Sequence, residues 1–299
     1  MSYVTKQIIM FKFKGLFAQS SMVSKLMLLL GATCIFTIFG LATWLIFSHG
    51  NMTDINSLKW GQLLQSIGMF VIPPFAVAYL WSEKPLNFLN LDRKTNWLDV
   101  SFVVLFMIII IPFINLLGDL NHQLILPKAL AGIENWMKTS ETQATQFTEK
   151  LLNVKNVQGL LFNIFLIAII PALGEELFFR GALQGVLKEW RNVKLAIWIT
   201  AIIFSAIHLQ FYGFVPRMLL GAFFGYLLFW SENIWLPIAA HFVNNVLAVI
   251  FYYFKFNGYQ LPDIDTIGTG NTLWLGIASG ALAIFGFFQI KKRFQLRNG

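Results

Sequence analysis

The sequence is poor in charge. Only 12% of its 299 residues are Asp, Glu, Lys or Arg, about half the share of a soluble domain. Hydrophobic residues make up 57% and mean hydropathy is +0.66, more apolar surface than a soluble chain of this length can bury. This excludes a soluble globular protein and points to an integral membrane protein. Cysteine is nearly absent. Cys34 stands alone in an apolar run, so neither an intrachain disulfide framework nor a cysteine-based metal site can form; it reads as a small packing residue. No basic patch interleaved with aromatics stands apart from the apolar runs, so the net charge of +8 gives no sign of nucleic acid as a partner. The excess of Lys and Arg that flanks the cytoplasmic ends of membrane segments accounts for it. Internal repeats and low-complexity stretches are also lacking.

What is present is a row of uncharged runs near the roughly 17–25 residues that a membrane helix needs. They are Leu26 to Phe47, Leu63 to Trp81, Val100 to Leu117, a run from Gly159 into a pair of glutamates, Leu195 to Leu209, Met218 to Trp230, Ile234 to Phe254, and Thr272 to Ile290. The first is longer than the roughly 7–15-residue apolar core of a signal peptide, and no small-x-small site follows it, so it reads as a retained helix. Ahead of it, Lys6, Lys12 and Lys14 alternate with Ile8, Ile9, Phe11, Phe13 and Phe17, which suits either a helix in the membrane interface or a frayed basic tail. The fold expected is all-α, with about eight transmembrane helices.

Orientation follows from the basic residues. If the N-terminus is cytoplasmic, the inner side holds Lys6, Lys12, Lys14 and Lys25, then Lys84, Arg93 and Lys94, then Arg180, Lys188, Arg191 and Lys194, then Lys291, Lys292, Arg293 and Arg297. The outer side holds Lys59, four lysines of one long connection, Arg217 and Lys255. The positive-inside rule therefore expects both termini in the cytoplasm, and it expects the glutamate pair at the cytoplasmic end of the fourth helix. The long connection, residues 118–158, reads as carrying one short helix, either a lid or a plain link. "GAFFG" and "GALQG" place small residues four apart, which lets helices approach closely.

Ionisable groups in apolar helices cost about 2.5–3.5 kcal/mol each on insertion scales and usually face a bundle interior. Three clusters stand out. Glu175 and Glu176 precede Arg180; Glu176 and Arg180 share a helix face at i, i+4, while Glu175 is turned about 100° away. That is either one neutralised carboxylate beside one free one, or three groups reaching for the interface. His208, in "FSAIHLQ", is either a hydrogen-bonded helix-end residue or a functional group. His241 and Asn245, again at i, i+4, either link helices by hydrogen bonds or address a shared polar partner, with Asn244 facing away. Together the clusters offer a general base, a partner for it, and two donors to an oxyanion. This is the inventory for attack of water on a carbonyl.

"EELFFR", "FSAIH" and "HFVNN" fit Glu-Glu-x-x-x-Arg, Phe-x-x-x-His and His-x-x-x-Asn. In that order they resemble the CPBP family of intramembrane proteases, which includes the CAAX prenyl endopeptidases and the bacteriocin-processing, or Abi, proteins. The resemblance covers about residues 159–254. It implies helices around a polar intramembrane cavity that opens to the cytoplasm, with Glu175 activating water, His208 aiding it, His241 and Asn245 holding the oxyanion, Glu176 and Arg180 in support, and Phe204 packing. It divides the chain into residues 1–158, three helices and a long loop; 159–254, a catalytic core; and 255–299, a last helix and basic tail. It leaves two readings of the cofactor: none, or a single zinc ion held by Glu175, His208 and His241. The partners expected are membrane lipids and a membrane-associated protein or peptide substrate, and the location a bacterial plasma membrane. A non-catalytic membrane protein that binds a hydrophobic peptide or lipid is the alternative, with a transporter behind it, since the first half has no polar counterpart to the Glu/His/Asn set.

Overall fold

The computed structural model describes residues 13–298 other than 50, 52, 125 and 191. Among them every regular element is helical, because in hydrocarbon a lone segment satisfies its backbone N–H and C=O groups only through the helical ladder. The helices are α1 (Met22–Phe47), α2 (Ile55–Trp81), α3 (Trp97–Ile109), α4 (Ile111–His122), α5 (Ala131–Leu152), α6 (Val157–Leu187), α7 (Val193–Ala206), α8 (Phe214–Ser231), α9 (Trp235–Phe256) and α10 (Leu273–Asn298). Short polar residues open many of them. The side chains of Ser21, Asp54, Asn96, Asn156 and Asn192 accept hydrogen bonds from the first free backbone N–H groups of α1, α2, α3, α6 and α7, which would otherwise be unsatisfied.

Prolines shape the long helices. Pro73 and Pro74 follow a π-helical turn, Ile67–Val71, and Pro171 follows another, Ile164–Ile169. A proline removes one ladder bond and crowds the carbonyl four residues back; a widened turn ahead of it relieves the crowding. At Pro112 the chain breaks instead, and α3 and α4 meet at 43°.

The helices share two ends. At the near end, where α1 begins, Lys25 pairs with Glu189 at 2.8 Å, Arg93 with Glu232 at 2.9 Å and Arg293 with Asp99 at 2.7 Å. These contacts join the start of α1, the connections after α2, α6 and α8, the start of α3 and the last turns of α10. At the far end, Lys150 Nζ donates to the Thr53 carbonyl, and Asn257 Nδ2 to that of Val154 at 3.0 Å. Asn115 Nδ2 donates to the carbonyls of Ile264 and Ile267, and Asn121 Nδ2 to those of Phe211 and Tyr212. The eight apolar segments therefore alternate in direction, and the start of α1 lies at the same end as the last turns of α10. The chain is a multi-pass membrane protein.

Several expectations change. Among the described residues six helices are long and apolar enough to cross a membrane, or seven when the bent α3–α4 pair is one span, so the count of about eight is not confirmed. The shortfall is α7: its 14 residues rise about 21 Å at 1.5 Å each, short of the ~30 Å hydrocarbon core. The glutamate pair does not end the fourth apolar segment. The helix continues through Arg180 to Leu187, and Glu176 through Leu187 are all buried, so the pair sits in mid-helix and Arg180 is enclosed by the bundle. The reading of the N-terminal tail falls mostly on residues 1–12, outside the described residues; just after them, the Gly15 and Phe17 N–H groups donate to the carbonyls of Tyr79 and Leu80. The long connection holds a helix of 22 residues, longer than expected.

Candidate active site

Glu175, Glu176 and Arg180 lie on α6, Phe204 and His208 at the end of α7, and His241 and Asn245 on α9. The bundle brings them together. Glu176 Oε1 accepts from Arg180 Nη1 at 2.9 Å and from His241 Nδ1 at 2.8 Å. Arg180 Nη2 donates to the Gly221 carbonyl at 2.9 Å. Side chains of Glu176 and Arg180 have no exposed surface, so the pair is buried and leans on these hydrogen bonds, while Glu176 Oε2 and Arg180 Nε have no partner among the described residues. The α6 ladder widens into a π-helical stretch from Leu177 to Leu183, a distortion frequent at functional sites, and Arg180 is at its centre.

Close approach of α8 makes the Arg180 contact possible. A Cβ added to Gly221 would lie 3.1 Å from Phe204 and 3.2 Å from Arg180 Nη2; at Gly225 it would lie 2.7 Å from Gln184 Oε1. Gln184 Nε2 donates to the Gly225 carbonyl at 3.3 Å. The small residues of "GAFFG" thus open α8's carbonyls to α6.

Aromatic rings wall the centre. The Arg180 guanidinium is 4.5 Å from the Phe204 ring and 5.4 Å from that of Phe224, contacts that favour a desolvated cation. His241 stacks on Phe224 at 5.4 Å and meets Phe204 edge-on at 5.9 Å. Phe204 also touches His208 at 5.2 Å. Sequence reasoning gave Phe204 a packing role; here it separates the two histidines from each other and touches both.

The hydrogen bonds decide which ring nitrogens are free. The Phe204 carbonyl can only accept, so at 2.7 Å His208 Nδ1 carries a proton and Nε2 is left open. His241 Nδ1 donates to Glu176, leaving its Nε2 open at 3.9 Å from Glu175 Oε2. Both carboxylates therefore address one imidazole, from its two nitrogens. Glu175 Oε2 is buried and has no hydrogen-bond partner among the described residues, while its side chain keeps 13% exposure. Asn245 Nδ2 donates to the Ile167 carbonyl at 3.3 Å, inside the first π-helical turn of α6, and one N–H remains. Asn244 does not simply face away: exposed as it is, its amide donates to Asn245 Oδ1 at 3.2 Å and orients it.

A three-ligand metal site does not fit these side chains as arranged. Among the described residues no three His, Cys, Asp or Glu side chains gather closely enough to hold an ion.

Sequence reasoning missed Arg217. It lies in the first turn of α8, half-buried, and donates to the backbone and side-chain oxygens of Gln210 at 3.2 and 2.9 Å. An arginine at the edge of an apolar run was the available signal.

These features define a class: an all-α, polytopic membrane protein with a buried Glu/Arg/His/Asn centre. Comparison narrows the class. Residues 157–247 match the family described as type II CAAX prenyl endopeptidase Rce1-like, in agreement with the resemblance carried by the three motifs. Two relatives come from Bacillus subtilis (strain 168). "Putative membrane peptidase YdiL" is 27% identical over 123 residues, 41% of this chain and 50% of that protein. "Uncharacterized protein YpbD" is 25% identical over 116 residues, 38% of this chain and 55% of that protein. The matches thus span about half the length of these relatives. No solved structure matches.

Proposed function

We propose that the chain is an intramembrane endopeptidase that hydrolyses a peptide bond of a membrane-associated protein or peptide. The observation that carries this reading is Glu175: a carboxylate in mid-helix, with one oxygen buried and unpartnered, beside an open imidazole nitrogen and above a neighbouring carboxylate already committed to Arg180. A buried acceptor of this kind is placed to take a proton from water.

In the reaction, Glu175 takes one proton of a water molecule while His208 Nε2 accepts the hydrogen bond of the other. The hydroxide adds to the peptide carbonyl carbon, and charge moves to the carbonyl oxygen. The free N–H of Asn245 donates to that oxygen, as does Nε2 of His241 when it bears a proton. Glu175 then returns its proton to the amide nitrogen as the C–N bond breaks, giving a carboxylic acid and an amine. Glu176 and Arg180 hold His241 in place and touch no substrate. The relative's name and the family match support a peptidase, and the three-motif pattern supports these assignments. Membrane proteomics that compares wild type with Glu175→Gln tests the reading: one or a few membrane peptides should accumulate uncleaved in the variant. Identical profiles, with both proteins folded, would leave a non-catalytic binding protein.

A further inference from the structure

The end of α7 adopts a backbone conformation that its residues do not favour. A helix that stops by turning into the left-handed region usually does so on glycine, because a Cβ there crowds the backbone. Here the residue is Leu209, with φ of 54°. Among the described residues His49, Asn90 and Glu232 are the other non-glycine residues with positive φ, and Leu209 is the one aliphatic side chain of the set. Strain of this kind persists only where the surroundings hold it, and it gathers at functional sites. Leu209 directly follows His208, whose Nδ1 meets the Phe204 carbonyl, one turn back, at 2.7 Å.

Side-chain contacts close the loop from residue 207 to residue 213. Ser205 Oγ donates to the Phe214 carbonyl at 2.7 Å, and Asn121 of α4 donates to the carbonyls of Phe211 and Tyr212. Arg217 reaches closest to the strain. Its Nη1 and Nη2 donate to the carbonyl and the side-chain oxygen of Gln210 at 3.2 and 2.9 Å, so its planar fork grips both the main chain and the side chain of the residue next to Leu209. The same carbonyl accepts from the Gly213 N–H at 3.3 Å. Gly213 leaves the guanidinium room, since a Cβ there would lie 3.0 Å from Nη2. Arg217 is rooted in the first turn of α8, so it ties the turn to a long helix. Its charge is also within electrostatic reach of His208 and of Glu175.

We propose that Arg217 is a positioning residue for His208: its clasp on Gln210 holds Leu209 in the left-handed conformation and so fixes the imidazole with Nδ1 protonated against Phe204 and Nε2 bare. Arg217 acts through His208 and touches no substrate. That the bare Nε2 serves a water molecule rests on the peptidase reading; that Arg217 sets the imidazole does not. A lysine at 217 would keep the charge, but one ammonium on a flexible stem does not reproduce the fork that spans both oxygens. A glycine at 209 would need less support, because it takes a positive φ at no steric cost.

The test is nitrogen NMR of the full chain in detergent, isotope-labelled in its histidine rings, with His208→Gln used to assign the signals. In wild type the His208 ring should show one tautomer, with Nδ1 protonated. In Arg217→Lys, and further in Arg217→Gln, its two nitrogens should move towards a common averaged position. Leu209→Gly added to Arg217→Lys should restore part of the separation. A single tautomer kept in folded Arg217→Lys would overturn the proposal, and so would a loss that Leu209→Gly does not reverse at all. Should Arg217→Gln fail to fold, Arg217→Lys carries the comparison. With a cleavable substrate, Arg217→Lys should lower kcat by up to about 10²-fold, the scale of loss from a displaced catalytic group, with KM nearly unchanged. On a His208→Gln background the same change should cost nothing further; an additive loss would mean that Arg217 does not act through His208. A wild-type chain whose ring responds as expected but that cleaves nothing keeps the clasp and loses the peptidase reading. A chain that cleaves, with a ring indifferent to Arg217, does the opposite.

Discussion

Glu175 and Glu176 are neighbours in sequence with opposite circumstances. Each keeps a buried Oε2 without a hydrogen-bond partner among the described residues, but Glu176 gives its other oxygen to both Arg180 and His241, whereas Glu175 only faces His241 Nε2 at 3.9 Å. Replacing Glu175 with Gln keeps the shape and removes the base, so turnover should fall about 10²–10⁴-fold, the usual contribution of general base catalysis, with the unfolding temperature in detergent nearly unchanged. Replacing Glu176 with Gln strands a buried guanidinium, and breaking one side of such a pair costs about 3–5 kcal/mol. Thermal unfolding should show a large loss, and Glu176→Gln with Arg180→Met should recover part of it, since no uncompensated charge remains. A stable but inactive Glu176→Gln beside an active Glu175→Gln would reverse the assignment. Asn245→Ala should lower kcat about 10²–10³-fold with little change in KM, because an oxyanion donor matters most in the transition state. An unchanged kcat would remove Asn245 from the oxyanion site.

At the scale of elements, the contact between α6 and α8 carries the geometry. Arg180 and Gln184, four residues apart on α6, reach the carbonyls of Gly221 and Gly225, four apart on α8. A side chain at Gly225 would strike Gln184 Oε1 and Ile197. Gly225→Val should therefore push the helices apart, and overpacking of this kind costs about 1–3 kcal/mol. A lowered unfolding temperature with parallel loss of activity is the expected result; a variant as stable as wild type would mean that this close approach is not required. The four-residue spacing of the glycines was readable in the sequence as close packing. Which helix would approach, and that the approach would expose carbonyls to a buried arginine, was not: a small-residue stripe states a distance without naming its partner. The π-helical turns were unreadable for a related reason. The prolines signal a disturbed ladder, but whether the chain widens, as before Pro171, or breaks, as at Pro112, depends on what packs around it.

At the scale of the whole molecule, the metal question becomes measurable. Since Glu175, His208 and His241 do not converge as three ligands, metal bound by the purified protein, counted by elemental analysis, should be the same in wild type and His241→Ala. A stoichiometric zinc ion present in the first and lost in the second would require a different arrangement of the centre from the one proposed.

By itself the sequence determined the class. Low charge and long apolar runs dictate membrane helices, since hydrocarbon admits little else, and the spacing of Glu176 with Arg180 and of His241 with Asn245 predicted shared faces because helix geometry is local. Tertiary structure decided the rest. The charges at Glu175 and Glu176 looked like the end of a span because an unpaired carboxylate belongs at an interface. Glu176 is held in mid-helix because Arg180 and His241 hydrogen-bond it, one partner from the same helix and one brought in from another. That longer helix puts the end of α7 beside mid-α6, so His208 meets the centre although α7 is too short to cross.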